Sequence, residues 1–443
     1  MTEPDASLPR ASRVRNELVA HLSTPLYRNG YALAMSGAAT SALGIVYWML
    51  AARLLPAEDV GEGSAAVATM ILLSGFSQLN FRSALNRFLP VAGDRTRRLI
   101  LTAYGFSLGA GLLLVFGFAF VVRSVAPSLA FLFETSEATV GFWIAVSAWS
   151  IFVLQDSALT GFRMAVLVPV ENAVFSVAKI VALVALAAAV PAAAVFGSWF
   201  IAALLVVVPV NILLFRRLIP RNAAATRAGA FPLHPSTIGR FVTGDYVGSV
   251  FVEMSTSFLP AMVISIAGST ANAYFYMAWQ IAYSLNLAIA SMTTSLTVEA
   301  SASIDNLAPL ARAMLRHILR LFVPIVAVVI LVAPLILGII GQEYAEGGAT
   351  TLRLLALAAV PFAVNAVFIS VSRVRRRTRD IIVVQAAICV LVLGLSFFLL
   401  PSLGIAGVGV AWLAGQGLVC LALLATGLRS VLRVAAPGEG AGR

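Results

Sequence analysis

What this chain lacks narrows its chemistry before any motif is read. Two cysteines occur in 443 residues, Cys389 and Cys420, both inside long apolar stretches, so a disulfide-stapled fold is excluded and both thiols are expected to pack rather than react. Histidine is nearly as rare. His21, His234 and His317 all fall in polar segments between apolar stretches, where they do not converge on a reaction centre. The chain holds a single lysine, Lys179, and no G-x-x-x-x-G-K-[ST] phosphate cradle. It therefore has no ATP motor of its own and must use a gradient, a partner or the driving force of its substrate. Long polar connections are missing too. The two longest, about 216–240 and 298–316, are too short for a folded extramembrane domain, which argues against a membrane-embedded glycan ligase or polymerase with a catalytic outer loop.

What is present is apolar. Hydrophobic residues make up 60% of the chain, charged residues 11%, and the mean hydropathy of +0.96 exceeds what a water-soluble domain of this length tolerates. With about 20 apolar residues needed to cross the hydrocarbon, spans are expected near 30–52, 62–81, 98–122, 140–162, 165–189 and 192–215, and again near 241–266, 270–297, 317–340, 348–372, 381–400 and 405–428. The chain reads as an all-α integral membrane protein of about 12 transmembrane helices.

The cations orient it. Of 30 Lys plus Arg, 26 fall in alternate gaps: Arg10, Arg13, Arg15 and Arg28; Arg82, Arg87, Arg95, Arg97 and Arg98; Arg163; Arg216, Arg217, Arg221, Arg227 and Arg240; Arg312, Arg316 and Arg320; Arg373, Arg375, Arg376, Arg377 and Arg379; Arg429, Arg433 and Arg443. The opposite gaps hold only Arg53, Arg123 and Arg353, against seven carboxylates from Glu58 to Glu346. Because cytoplasmic loops retain cations, both termini are expected inside, in a bacterial cytoplasmic (inner) membrane. The segment from Met1 to about Arg28 lacks a signal-peptide core, so the first span is expected to be retained. A net charge of +11 would suggest nucleic acid in a soluble chain. Here the arginines flank apolar spans and face anionic headgroups, so no nucleic-acid partner is expected.

The Pro- and Gly-bearing segment 216–240 divides the chain into six spans and six spans. The expected organisation is a cytoplasmic tail (1–29), an N-terminal six-helix lobe (30–215), a cytoplasmic linker (216–240), a C-terminal six-helix lobe (241–428) and a second tail (429–443). Such parallel repeats suit alternating access around a midplane site. A faint internal echo agrees: Gly61–Met70 and Gly268–Met277 both present small residues at the start of a span.

Five short runs carry a family resemblance. Ala52-Arg-Leu-Leu-Pro-Ala-Glu-Asp-Val-Gly61 resembles the signature after the first helix of polysaccharide and O-antigen flippases, and Arg87-Phe-Leu-Pro90 their basic segment after the second. Tyr274 with Ala278 resembles their eighth helix, Gly341-Gln-Glu-Tyr344 with Leu352 and Leu355 the start of the tenth, and Gly404-Ile-Ala-Gly-Val-Gly-Val-Ala411 the start of the last. The chain thus resembles the multidrug/oligosaccharidyl-lipid/polysaccharide exporter superfamily. That resemblance implies two six-helix bundles forming a V around a central cavity lined by helices one, two, seven and eight. It also implies a transporter that flips a polyprenyl-diphosphate-linked oligosaccharide to the outer leaflet, with membrane lipids and polysaccharide polymerase or glycosyltransferases as further partners. Peptidoglycan-precursor flippases carry arginines on the cavity helices. Spans one, seven and eight have none here, which favours an exopolysaccharide, capsule or O-antigen-type glycan, with bacterial cell-wall glycans fitting equally well.

A diphosphate crossing hydrocarbon needs a hydrated, preferably cationic cavity, so charged residues within spans are the candidates. Lys179 sits near mid-depth of the fifth span. Glu171, Asn172 and, on the preceding span, Asp156 lie closer to the inner end. With Arg163 they form either a self-neutralising network or a phosphate- or ion-coupling site. Glu253 and Asp245 on the seventh span are candidates for proton or sodium coupling, or struts to a cation in the other lobe. Arg82 and Arg87 either attract the diphosphate or anchor topology. Gln280 and Asn286 are the favoured partners for sugar hydroxyls. No cofactor or metal is expected beyond a coupling ion, and no enzyme activity. A drug/cation antiporter of the same superfamily is the alternative that Glu253 keeps open, and a major-facilitator-type transporter the one that the 6 + 6 pattern allows. The topology is checked by reporter fusions: alkaline phosphatase joined after Arg53 or Arg123 should be active, and joined after Arg98, Arg221 or Arg379 inactive, with a fluorescent-protein reporter giving the reverse.

Overall fold

The computed structural model describes residues 43–164, 166–226, 235–302 and 307–427, without the side chains of 125, 225–226, 235–245 and 294–302. Those residues are helical with no strand among them. The first lobe holds α1 (Leu43–Leu54), α2 (Ala57–Ser77), α3 (Thr96–Val125), α4 (Ser136–Gly161), α5 (Leu167–Ala189) and α6 (Ala194–Leu213). The second holds α7 in two pieces (Pro235–Ser257 and Leu259–Ala267), α8 (Ser269–Ala302), α9 (Leu307–Ile340), α10 in two pieces (Gln342–Leu357 and Ala359–Val374), α11 (Thr378–Leu403) and α12 (Ile405–Ala422). Ten of these stretches are long and apolar enough to cross a membrane, and α1, described only from residue 43, and α8 complete twelve elements in two six-helix bundles.

The helices start and stop for local reasons. Thr135 caps α4 by accepting the Ala138 amide at 3.1 Å, and Gly268 (φ 91°) and Gly404 (φ 57°) make the left-handed turns into α8 and α12. Large apolar side chains such as Phe120, Leu331 and Phe398 point outward, 90%, 76% and 75% exposed, as lipid-facing residues should. The expected linker is shorter than its composition suggests. α6 continues through a π-helical turn (Leu214–Leu218) into Ile219–Thr226, and α7 begins at Pro235, because the alanines at 223–225 favour helix and proline suits a first helical turn.

α2 is the most enclosed span, packed against α3, α4 and α6 of its own lobe and against α7 and α8 of the other. With no hydrophobic drive between helices in lipid, small residues and hydroxyls must hold it. Toward its own lobe, Ser77 Oγ lies 2.9 Å from Ser150 Oγ and 3.2 Å from Ser107 Oγ, and Ser150 donates to Ser74 Oγ at 3.0 Å. Toward the second lobe, Gly61 lies against the Ser269 carbonyl so closely that no side chain would fit. Asn272, fully buried, donates to Gly61 O at 2.8 Å and Ser64 Oγ at 3.1 Å. The two segments of the internal echo therefore pack against each other. Nearby, Trp48 and Tyr276 meet at 4.7 Å between ring centroids and Arg53 donates to Ile339 O at 2.7 Å, joining the lobes at the cation-poor end.

This seam generates a prediction. Gly61→Val should destabilise the purified protein by about 1–3 kcal/mol through overpacking, and Asn272→Ala by about 1–3 kcal/mol through an orphaned carbonyl; thermal unfolding in detergent reads both.

Candidate functional site

The site begins where α2 stops. Leu79 (φ 47°) and Asn80 (φ 62°) are both left-handed, a conformation that costs a residue with a Cβ about 1 kcal/mol or more. The turn is closed by Phe81 N on Gln78 O at 2.8 Å and by Ser83 Oγ on Asn80 Oδ1 at 2.9 Å. After it comes a short helix, Phe81–Phe88, whose Phe81, Ala84, Leu85 and Phe88 recur at helical spacing and sink into a satellite core with Leu99, Leu154 and Leu214. Its other face carries Arg82, Ser83 and Asn86 into a cavity of about 270 Å³ between the lobes.

The opposite wall is α7. Tyr246, Ser249, Val250 and Glu253 follow one helical face and line the same cavity, and Tyr246 Oη donates across it to Phe76 O at 3.0 Å. Glu253 accepts from Ser257 Oγ at 2.6 Å, and Gly75 of α2 makes room for it: a Cβ there would stand 2.8 Å from the Glu253 carboxyl carbon. The Arg82 guanidinium lies within electrostatic reach of Glu253 in one lobe and of Asp156 in the other. Gln78 and Asn80 complete the polar lining. A cation from one lobe and a carboxylate from the other thus share one polar space.

Behind it, a chain of polar side chains crosses the first lobe. Tyr104 Oη donates to Asn211 Oδ1 at 3.0 Å, Asn211 Nδ2 donates to Gln155 Oε1 at 2.7 Å, and Gln155 Nε2 donates to Glu171 Oε1. Asp156 stands beside Glu171 and Asn172. One buried oxygen of each carboxylate, Asp156 Oδ1 and Glu171 Oε2, has no hydrogen-bond partner.

Lys179 lies elsewhere. Its ammonium sits over the rings of Trp199 (4.4 Å), Tyr47 (4.8 Å) and Phe175 (5.1 Å), 6% exposed, with no carboxylate within ion-pair distance among the described residues. The expected neutralising network with Glu171 and Asp156 does not form. Eight residues of helix separate Lys179 from Glu171 by about 12 Å of rise, more than the two side chains bridge. Arg163 is at the α4–α5 turn and forms no ion pair with either carboxylate among the described residues. Arg87 is not among the cavity residues and its guanidinium lies 5.7 Å from the Phe88 ring. Gln280 is beside the Tyr276 hydroxyl, and Asn286, 3% exposed, is buried within the second lobe with its Oδ1 unpartnered. The side chain of Asp245 lies outside the described residues.

Of the sequence candidates, the cavity brings together Arg82 and Glu253, with Asp156 in reach of Arg82. Ser83, Tyr246, Ser249 and Gln78 were not singled out by sequence. The 246/249/250/253 spacing on a span bearing a carboxylate was the readable signal for the α7 wall. The Leu79–Asn80 break carried only the weak signal of asparagine, which tolerates a left-handed backbone, with no glycine or proline beside it. Among the described residues, no group of three His, Cys, Asp or Glu side chains is placed to hold a metal ion.

No protein-family model matches the chain, and no curated protein matches it in sequence. Solved structures do match in fold. The lipid II flippase MurJ, in an inward closed conformation, is 13% identical and aligns with a TM-score of 0.71 over 90% of this chain and 89% of its own. A multidrug resistance MATE family transporter of the MOP superfamily, inward-facing, is 15% identical with a TM-score of 0.66 over 90% and 96%. A MOP superfamily transporter from Pyrococcus furiosus, its binding pocket described as of reverse polarity, is 15% identical with a TM-score of 0.59 over 90% and 93%. The chain therefore has the two-lobed helical fold of MOP superfamily transporters.

Proposed function

We propose that this protein is a transporter that moves a polyprenyl-diphosphate-linked oligosaccharide, of the exopolysaccharide, capsule or O-antigen type, from the inner to the outer leaflet of a bacterial cytoplasmic membrane by alternating access. The observation that carries the reading is Arg82, delivered by the break in α2 into a polar cavity shared by both lobes. A guanidinium is planar, always charged and suited to two oxygens of a phosphate at once. Gln78, Asn80, Ser83, Asn86 and Ser249 around it offer the hydroxyl- and amide-type partners that sugars require. At about 270 Å³ the cavity is smaller than a drug-sized pocket, so a glycan enters only when the lobes separate along the α2–α7 wall.

Glu253 supplies the coupling on this reading. With Arg82 engaged by diphosphate, the carboxylate loses its counter-charge and takes up a proton or a sodium ion, which links substrate binding to lobe movement. Asp156 and Glu171, each with an unsatisfied buried oxygen, form a second candidate ion site in the first lobe. The fold of the match to a lipid II flippase supports a lipid-linked substrate, and the cation-rich gaps support cytoplasmic termini. The presence of Glu253 in the cavity favours one alternative, a drug/cation antiporter.

Both readings are separable in vesicles. Arg82→Gln should weaken transport of a polyprenyl-diphosphate oligosaccharide by about 10–100-fold, the loss of a charge-assisted contact worth about 1.5–3 kcal/mol, and Glu253→Gln should abolish its dependence on the ion gradient. Unchanged flipping by the Arg82 variant sinks the phosphate role. Glu253-dependent efflux of organic cations, with no glycan flipping, establishes the antiporter. Lys179→Met should fold with stability within about 1–2 kcal/mol of the parent, since a lost cation–π contact is offset by relief of a buried charge; loss of transport with retained folding would assign the ammonium a part in transport.

A further inference from the structure

At the end of the fourth helix of each lobe the backbone adopts a conformation that its residue does not favour. α4 closes with Phe162 N on Ala158 O at 2.9 Å and Met164 N reaching back to Leu159 O at 2.9 Å, and Arg163 stands between them at φ 60°. α10 closes the same way, with Arg377 N on Ser372 O at 2.9 Å and Arg376 at φ 57°. Glycine suits such a left-handed cap, and a residue with a Cβ costs about 1 kcal/mol there. Both lobes nonetheless place an arginine in it, at the cation-rich end. Topology needs only charge in these turns, which any neighbouring position would supply.

In the first lobe the strained arginine lines a cavity of about 420 Å³, apart from the one between the lobes. A second arginine enters it from the extension of α6. Arg221 precedes Asn222, whose Nδ2 donates to Leu89 O at 3.0 Å and Thr96 Oγ1 at 3.1 Å, so the extension is pinned to the segment between α2 and α3. Among the described residues no acidic side chain lines the cavity, and Phe162, Met164 and Leu218 give it an apolar side. Its depth follows from α6: the apolar stretch Pro191–Ala224 has 34 residues, about 50 Å of helix against about 30 Å of hydrocarbon, so Arg221 is carried to the level of the headgroups.

We infer that this cavity is a phosphate-group site, with Arg163 and Arg221 as its two forks and the apolar side taking the first carbons of an anionic phospholipid. The left-handed backbone at Arg163 and the pinned Asn222 set where both arginines leave the chain at the cavity wall, so less ordering is left for the ligand to bring about. The site is independent of what the interlobe cavity carries.

Arg163→Gly separates function from structure, because it removes the cation while relieving the backbone. The full-length protein in neutral detergent is titrated with phosphatidylglycerol, phosphatidylcholine or inorganic phosphate, and the midpoint of thermal unfolding is followed. Phosphatidylglycerol should raise the midpoint of the parent; Arg163→Gly and Arg221→Ala should each need at least about tenfold more lipid for the same shift, as expected for one lost charge-assisted contact. Arg376→Gly, which relieves the equivalent turn of the other lobe, should respond like the parent. A shift with inorganic phosphate that disappears in Arg163→Gly upholds the phosphate site and assigns it a soluble source. Equal responses to phosphatidylglycerol and phosphatidylcholine, an undiminished response in both pocket variants, or an equal loss in Arg376→Gly overturns the inference.

Discussion

The close approach of α2 to the second lobe is the constraint on which the rest of the structure depends. Lipid gives no hydrophobic reward for bringing two helices together, so contact must come from van der Waals fit and interhelical hydrogen bonds. Gly61 against the Ser269 carbonyl supplies the fit, and Asn272 on Gly61 O and Ser64 Oγ supplies the bonds. Further along, Gly75 leaves space for the Glu253 carboxylate. Small residues at three levels of one helix therefore decide where the lobes touch and where a polar gap remains. Because the gap opens at the cation-rich end of α2, the break at Leu79–Asn80 turns the chain into it and makes Arg82 part of its wall.

Cations in this protein occupy three environments, each with its own physics. Most arginines lie in the gaps at one end of the bundle, where water and headgroups keep them hydrated. Arg82 faces a polar cavity with Glu253 and Asp156 in reach, so its charge is balanced by groups from both lobes. Lys179 is enclosed by Tyr47, Phe175 and Trp199, whose ring faces replace part of the hydration that burial removes. The aromatic box holds the ammonium with no counter-ion in ion-pair distance among the described residues, and it ties α1, α5 and α6 together at the level of the bundle interior. The carboxylates are served separately, Glu171 by Gln155, which Asn211 in turn orients, and Asp156 by Asn172 beside it.

How much of this was legible in the sequence varies with the range of the interaction involved. Hydropathy over windows of about 20 residues gives the spans, because crossing hydrocarbon is a local demand on each segment. The echo between Gly61–Met70 and Gly268–Met277 was visible as a pattern of small residues, but that the two segments face each other was not. Helix ends were less legible. α6 runs past the apparent linker boundary because its polar end still favours helix, and the α2 break occurs at leucine and asparagine, of which only asparagine carries a weak turn signal. Arg82 and Glu253 were both readable as intramembrane or boundary charges. Their sharing of one cavity depends on packing between residues about 170 positions apart.

The sequence by itself determined a polytopic helical membrane protein, its span order and the alternation of its cations, since each of these follows from the cost of placing a given residue type in lipid. The tertiary structure alone decided which charges meet. It separated Lys179 from the carboxylates two turns away, set Arg82 between Glu253 and Asp156, and gave the lobes a seam closed at glycine and asparagine. Those outcomes depend on helix phase, on the rise between residues of one helix and on how closely two backbones can approach. None of these is a property of a residue taken with its neighbours in the chain.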